Sequence, residues 1–174
     1  MMLVSDSYRA MLQSYHADNP DWGASSMRYA GHVRDLAQRT GSKTILDYGS
    51  GKGALADSLK EYEVSRYDPG MPEISGMPDK ADMVVCTDVL EHIEPECLDA
   101  VLVHILSLSL RCGYLAICTI KTAHILPDGR NAHLIVNNQH WWKQKLIEIG
   151  FESPRATPLT GYAPMYCCEY LIDD

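Results

Sequence analysis

Apolar positions along the chain alternate between a helical and a strand rhythm. Residues 5–16 carry helical spacing, with Tyr8, Met11, Leu12 and Tyr15 on one face, until Asp18-Asn19-Pro20-Asp21-Trp22-Gly23 interrupts it with strong turn chemistry. A second helix is expected to reach Arg39, with Ser25 or Ser26 as its cap and Gly41 ending it. Ile45-Leu46 reads as a short buried strand, Ala54 to Leu59 as a helix, and Val64 to Tyr67 as a second strand closing at Asp68-Pro69-Gly70. The Pro-, Gly- and Met-rich stretch to Met77-Pro78-Asp79 reads as loop, and Met83 to Cys86 as a buried strand. Pro95 opens a long helix through Leu110, and Gly113 to Ile120 is another buried strand. After a polar loop from Lys121 to Ala132, residues 139–149 form a helix bearing Trp141, Trp142, Leu146 and Ile149, closed by Gly150. Two closing strands are expected at 151–157 and 166–172. This alternation predicts an α/β fold with a largely parallel sheet and helices on both faces. The length predicts one domain over 1–174, in which 42–174 form the core. The helices of 1–41 either form a lid or cover a face of the sheet.

Composition excludes several partners. The chain is 46% hydrophobic and 22% charged, as ordinary globular proteins are. Its 15 basic and 23 acidic residues give a formal charge of −8, a field that repels a polyanion, so broad nucleic-acid binding is not expected. No run is long enough for a membrane helix, and MMLVSDSYRA lacks the apolar core of a signal peptide. Cysteines at 86, 97, 112, 118, 167 and 168 form no CxxC pair and fall mostly in apolar runs. They read as buried free thiols of a cytoplasmic protein, not as a spaced zinc framework.

The candidate chemistry begins at Ile45-Leu46-Asp47-Tyr48-Gly49-Ser50-Gly51-Lys52-Gly53, a strand running into a glycine turn ahead of a helix. That arrangement lets backbone approach a nucleotide-like ligand. Gly49, Gly51 and Ala54 satisfy a loose dinucleotide pattern, whereas a P-loop would need a glycine at Leu46 and a hydroxyl at Gly53. Asp47 repels a diphosphate but can accept hydrogen bonds from an ammonium, directly or through water. S-Adenosylmethionine carries an ammonium and a ribose and no phosphate. Asp68, 21 residues beyond Asp47 at the end of the next strand, has two acceptor oxygens suited to a vicinal ribose diol.

Asp47-x-Gly49-x-Gly51-x-Gly53, Asp68, and Asp82-Met83-Val84-Val85-Cys86-Thr87-Asp88-Val89-Leu90-Glu91-His92-Ile93 together resemble the class I S-adenosylmethionine-dependent methyltransferases over residues 25–172. The resemblance implies a Rossmann-like sheet, mostly parallel, with a C-terminal antiparallel hairpin. It implies that Asp47, Gly49, Ser50 and Gly51 hold the methionine end of the cofactor, that Asp68 and Pro69 lie at the ribose, and that Thr87, Asp88 and Val89 line the site. One departure stands out. Only 13 residues separate Asp68 from Asp82, where the family fits a helix, a strand and an adenine-contacting loop. Six strands are therefore expected in place of seven, and Pro69, Met71 and Ile74 are the apolar candidates for adenine.

A second constellation is Asp88-Val89-Leu90-Glu91-His92. On a helical turn Asp88, Glu91 and His92 share a face, and His133 can approach from the following loop. This is similar to two methyltransferase groups in which an acid-x-x-Glu-His segment binds a divalent metal: quinone-biosynthesis O-methyltransferases and small-RNA 3′-end 2′-O-methyltransferases. Asp88, Glu91, His92 and His133 are thus metal candidates, beside a reading in which Glu-His only orders the turn. His133, with His92 second, is the candidate for proton transfer or substrate contact, beside a structural role. Trp22 with Tyr15 and His16 can cap the cofactor or pack its own helix; Trp141-Trp142 reads as one core ring and one rim ring; His104, His124 and His140 read as ordinary helix or loop residues. No Asn-Pro-Pro-Tyr, Asp-Pro-Pro-Tyr or Pro-Cys segment is present, which leaves base-methylation chemistry unsupported. The expected activity is methyl transfer to an oxygen or nitrogen of a small-molecule or small accessible acceptor. Its rivals are a non-catalytic cofactor-binding module and a nicotinamide-dependent oxidoreductase.

Overall fold

The computed structural model describes residues 2–19, 24–157 and 165–172. Its helices are α1 (Asp6–Asp18), α2 (Ala30–Thr40), α3 (Ala54–Asp57), α4 (Leu98–Leu108) and α5 (Gln139–Ile149). Its strands are β1 (Thr44–Tyr48), β2 (Glu63–Tyr67), β3 (Ala81–Thr87), β4 (Ser109–Cys118), β5 (Arg155–Ala156) and β6 (Met165–Leu171). All six strands join one sheet in the order β2-β1-β3-β4-β6-β5. The first four run parallel, and β6 pairs antiparallel with both β4 and β5. The expected six-stranded sheet and C-terminal hairpin are therefore present.

Period-two alternation divides the core into two layers. Leu46, Val84, Cys86, Leu115 and Ile117 face α4 and α5, where they meet Leu102, Ile105, Trp142 and Leu146. Their neighbours Ile45, Met83, Val85, Tyr114 and Ala116 face α2, packing on Val33, Leu36 and Ala37. Helix α1 does not join either layer; Tyr8, Met11 and Leu12 pack with Val4, Leu126, Ala132 and Leu134. The alternatives for the N-terminal helices thus divide, with α2 on the sheet and α1 on the loop after β4. Of the tryptophan pair, Trp142 is fully buried and Trp141 is 36% exposed. His104, expected to be an ordinary helix or loop residue, lies in α4, buried and hydrogen-bonded through Nδ1 to the Tyr48 hydroxyl at 2.9 Å.

Several boundaries differ from expectation for identifiable reasons. The helix expected through Leu110 ends at Leu108, because Ser109 pairs with Ala81 and begins β4. Pro95 opens a 3₁₀ turn, Pro95–Cys97, ahead of α4. Neither Ser25 nor Ser26 caps α2; both lie in a 3₁₀ turn, Ala24–Tyr29, that leads into it. The strand expected over 151–157 contracts to Arg155–Ala156. Its predecessor Phe151 donates its amide to Leu146 and is absorbed into the end of α5. Between Asp68 and Ala81 there is a single 3₁₀ turn, Pro72–Ile74, so β2 is an edge strand. Five cysteines are buried and Cys118 is half-buried; all six are free thiols. Among the described residues, no helix is long and apolar enough to cross a membrane.

Two glycines test this packing in opposite directions. Gly113 pairs with Tyr170 across β4 and β6, and a Cβ at 113 would collide with the Tyr170 phenol, whose hydroxyl is fixed to Ser109 Oγ at 2.7 Å. Gly113→Ala is predicted to destabilise the protein by about 1–3 kcal/mol. A Cβ at Gly31 in α2 would meet nothing within 4 Å. Gly31→Ala is therefore predicted to stabilise by about 0.5–1 kcal/mol. Urea unfolding of the two variants reads both signs.

Candidate functional site

A cleft opens at the carboxyl ends of β1, β2 and β3, where the strands hand over to their loops. Its sheet-side wall is Tyr48 to Gly51, Tyr67 to Pro69 and Thr87 to Val89. Leu3, Val4, Tyr8, Leu12 and His16 close the opposite side, and Ser25 and Ser26 contribute from the turn ahead of α2.

The glycine turn is laced to the end of β2. The amides of Gly49 and Ser50 donate to the Tyr67 carbonyl at 2.7 and 3.2 Å, and Gly51 donates to Asp68 Oδ2 at 2.8 Å. Asp68 Oδ1 accepts from the Gly70 amide at 2.8 Å, and the Arg66 guanidinium donates to the Gly51 carbonyl at 2.6 Å. Gly49 has φ 77°, and a Cβ there would run into the Val89 side chain. Only glycine lets this backbone pass so close to the β3 loop and still leave a cradle.

Asp47 lies at the end of β1, 2% exposed, and its Oδ2 has no hydrogen-bond partner. Burial pushes its pKa up to about 7; nearby Arg66 opposes the shift and Asp68 adds to it. An orphaned carboxylate oxygen behind a glycine cradle fits a cofactor with a cationic amino end, and Asp68 at the cleft wall fits its ribose. Pro69 lines the cleft, whereas Met71 and Ile74 do not; the apolar wall comes instead from Leu12, Tyr67, Ile93 and Val101.

On the β3 side, Thr87, Asp88 and Val89 line the cleft as expected. Asp88 holds φ 56°, a strained conformation for a non-glycine residue. Both its oxygens are occupied, by Arg28 Nη2 and the Tyr29 hydroxyl at 2.8 Å each. Glu91 is fully buried; Oε1 accepts the Cys118 amide at 2.9 Å and Oε2 has no partner. Burial, and then the neighbouring Asp88, raise its pKa to about 8.

His92 lines the cleft and donates Nδ1–H to the Ala132 carbonyl at 2.8 Å. Burial, then His133, lower its pKa to about 3, so the ring is neutral at ordinary pH. His133 is not on the cleft wall. It stands edge-on to His92 with ring centroids 4.7 Å apart, and its Nδ1 meets the Ile120 carbonyl. Of the four expected metal candidates, Glu91 and His133 come together, and Cys118 joins them; Asp88 and the His92 Nδ1 are engaged elsewhere.

Helix α1 brings Tyr8, Leu12 and His16 to the cleft. Ser5 caps it by accepting the Tyr8 amide, while the Ser5 amide and hydroxyl donate to Glu94 at 2.8 and 2.7 Å. Tyr8 donates its hydroxyl to the His92 carbonyl at 2.8 Å, and Lys52 Nζ donates to the His16 carbonyl at 3.0 Å. His16 is buried against Gly70, with Nδ1 unpartnered; burial lowers its pKa, and the neighbouring Asp68 opposes that shift. Tyr15 lies on His124, and Trp22, the third expected capping residue, is outside the described residues.

The Asp47 shift has a definite pH consequence. Its folded-state pKa stands near 7 against an ordinary 3.8, so between those values the unfolded chain has released a proton that the folded protein retains. Asp47 therefore contributes a loss of stability as pH rises from about 4 to about 7, on the order of 1 kcal/mol per pH unit. In the ligand-free protein, Asp47→Asn is predicted to raise the urea midpoint relative to wild type at pH 8 more than at pH 4. Equal shifts at both pH values would exclude a buried, titrating Asp47.

Solved structures share this architecture at low sequence identity. The DhpI–S-adenosylhomocysteine complex superposes with TM-score 0.68 at 16% identity, covering 95% of this chain and 97% of that one. The 1,6-didemethyltoxoflavin-N1-methyltransferase of Burkholderia thailandensis, solved with 1,6-didemethyltoxoflavin and S-adenosylhomocysteine, gives 0.66 at 16% identity over 100% of this chain and 92% of that one. Magnesium protoporphyrin IX methyltransferase of Synechocystis PCC 6803, solved with S-adenosylhomocysteine, gives 0.59 at 17% identity over 84% and 83%. No curated protein sequence matches the chain. The family model described as "Methyltransferase domain" matches residues 24–156, from the turn ahead of α2 through β5, and the chain belongs to that methyltransferase family.

Proposed function

We propose that this protein transfers a methyl group from S-adenosylmethionine to an oxygen or nitrogen of a small acceptor. The observation that carries the reading is the meeting of the glycine turn and Asp68 on one wall of the cleft, with Gly51 donating directly to the Asp68 carboxylate. S-Adenosylhomocysteine bound in neighbours of the same fold supports the same cofactor here. When bound, the cofactor supplies a methyl on a sulfonium, an electrophile open to in-line displacement.

The chain's own part is alignment and exclusion of water. Gly49, Ser50, Gly51 and Asp47 hold the amino-acid end, and Asp68 accepts the ribose hydroxyls. Pro69 with Leu12, Ile93 and Val101 offers adenine an apolar slot, and Thr87, Asp88 and Val89 form the floor. His92 lines the cleft, is kept neutral by burial and is the imidazole placed to contact the acceptor, with His133 as the ring behind it. Helix α1 acts as a lid, held by Glu94 at one end and Lys52 at the other. The free cysteines fit a reducing cytoplasm, and the charge of −8 argues against a polyanionic acceptor.

Calorimetry tests the reading. S-Adenosylhomocysteine is expected to bind and NAD not to; binding of NAD with no response to S-adenosylmethionine or S-adenosylhomocysteine would overturn it. Removing a charged acceptor costs about 1.5–3 kcal/mol, so Asp68→Ala is expected to weaken S-adenosylhomocysteine by roughly 10- to 100-fold. An unchanged affinity would exclude the ribose role.

A further inference from the structure

We infer that Glu91, Cys118 and His133 form a site for a thiolate-binding divalent ion of the zinc class. These residues come from three segments: the turn after β3, the end of β4, and the loop that returns toward α5. One ligating atom from each lies within 4.8 Å of the other two. The set differs from the one the acid-x-x-Glu-His resemblance implies. Asp88 has both oxygens bound by Arg28 and Tyr29, and His92 is not among the residues whose ligating atoms lie within 4.8 Å of one another. A sulfur takes their place.

The burial pattern supplies an independent reason for an ion. Glu91 has no exposure at all, and its Oε2 lacks any hydrogen-bond partner, while Oε1 is fixed by the Cys118 amide. An interior carboxylate half-satisfied in this way costs stability, and a cation beside it removes that cost. The same Cys118 amide contact fixes the carboxylate at the strand end that carries the thiol. His133 donates Nδ1–H to the Ile120 carbonyl, which leaves Nε2 as the basic nitrogen; such an outer hydrogen bond is the usual companion of a metal-ligating imidazole.

The donor set decides the ion. Mg²⁺ demands six oxygen-type ligands, and a thiolate does not suit it. One thiolate, one imidazole and one carboxylate match Zn²⁺ or Co²⁺, and three protein ligands leave a fourth position open. Binding releases the Cys118 thiol proton, and the Glu91 proton where the acid is protonated. Cys118 and His133 are both half-buried, so an ion can enter from solvent. Once bound, it ties the Glu91-His92 turn to β4 and to the 120–133 loop, directly behind the His92 ring.

Cobalt titration of the chelator-treated whole protein tests the site without recourse to activity. Wild type is expected to bind one Co²⁺ with a thiolate-to-cobalt charge-transfer band in the near ultraviolet, displaced by Zn²⁺ and not by excess Mg²⁺. Cys118→Ser should abolish the band and weaken Zn²⁺ about tenfold or more, and His133→Ala should weaken Zn²⁺ to a similar degree. Absence of stoichiometric Co²⁺ binding, binding without the band, or a band that survives in Cys118→Ser would overturn the assignment. Circular dichroism checks that each variant folds. S-Adenosylhomocysteine calorimetry on the same wild-type sample separates the two readings: binding without a metal site sinks only the metal, and a metal site without cofactor binding sinks only the methyltransferase reading.

Discussion

The glycine turn on the cleft wall is held open from outside itself, by the end of β2. The Tyr67 carbonyl takes the amides of Gly49 and Ser50, Asp68 takes that of Gly51, and Arg66 returns a bond to the Gly51 carbonyl. A turn built on glycines with positive φ has little preference for any one shape, and these bonds select it. Every part of the site inherits that dependence. Asp68 lines the cleft with its backbone anchored at the strand end.

That dependence meets a difficulty peculiar to this chain. With no strand beyond it, β2 is an edge, and edges fray more readily than central strands. Helix α1 lies where it can compensate. Leu12 and His16 press on Gly70, just past Asp68, and a Cβ at Gly70 would come within 3.2 Å of either side chain. The helix is fastened at its start through Ser5 and Tyr8 to the 92–94 segment, and near its end through the His16 carbonyl to Lys52 of the glycine turn. The short segment after Asp68 and the helix thus meet at Gly70, beside the end of the edge strand.

What could be read in the sequence follows the same division. The glycine turn, Asp68 and the succession of strands and helices along the chain are encoded by local spacing. Contacts between residues far apart in the chain are not. Ser5 meets Glu94 across 89 positions, Tyr8 meets His92 across 84, and Arg28 meets Asp88 across 60. Asp88 reads as a metal candidate because Glu91 and His92 stand at i+3 and i+4, and nothing local announces that Arg28 and Tyr29 occupy it. Cys118 looked like one buried thiol among several because no second cysteine stands at ligand spacing. The end of α4 was misplaced for a related reason: Ser109-Leu110 continues an apolar pattern, and only pairing with Ala81 converts it to strand.

Two buried carboxylates, Asp47 and Glu91, each keep an oxygen without a partner. Such a group costs about 1–3 kcal/mol, and a domain has only about 5–15 kcal/mol of net stability. A chain free to optimise folding alone would replace both with amides or apolar residues. Asp47 stands behind the cradle at the end of β1, and Glu91 stands behind the cleft wall after β3, so both lie on the ligand side of the sheet. Whatever cationic group satisfies either of them binds the folded state and not the unfolded chain, and stabilises it by mass action. A ligand that completed either oxygen would couple its own binding to folding.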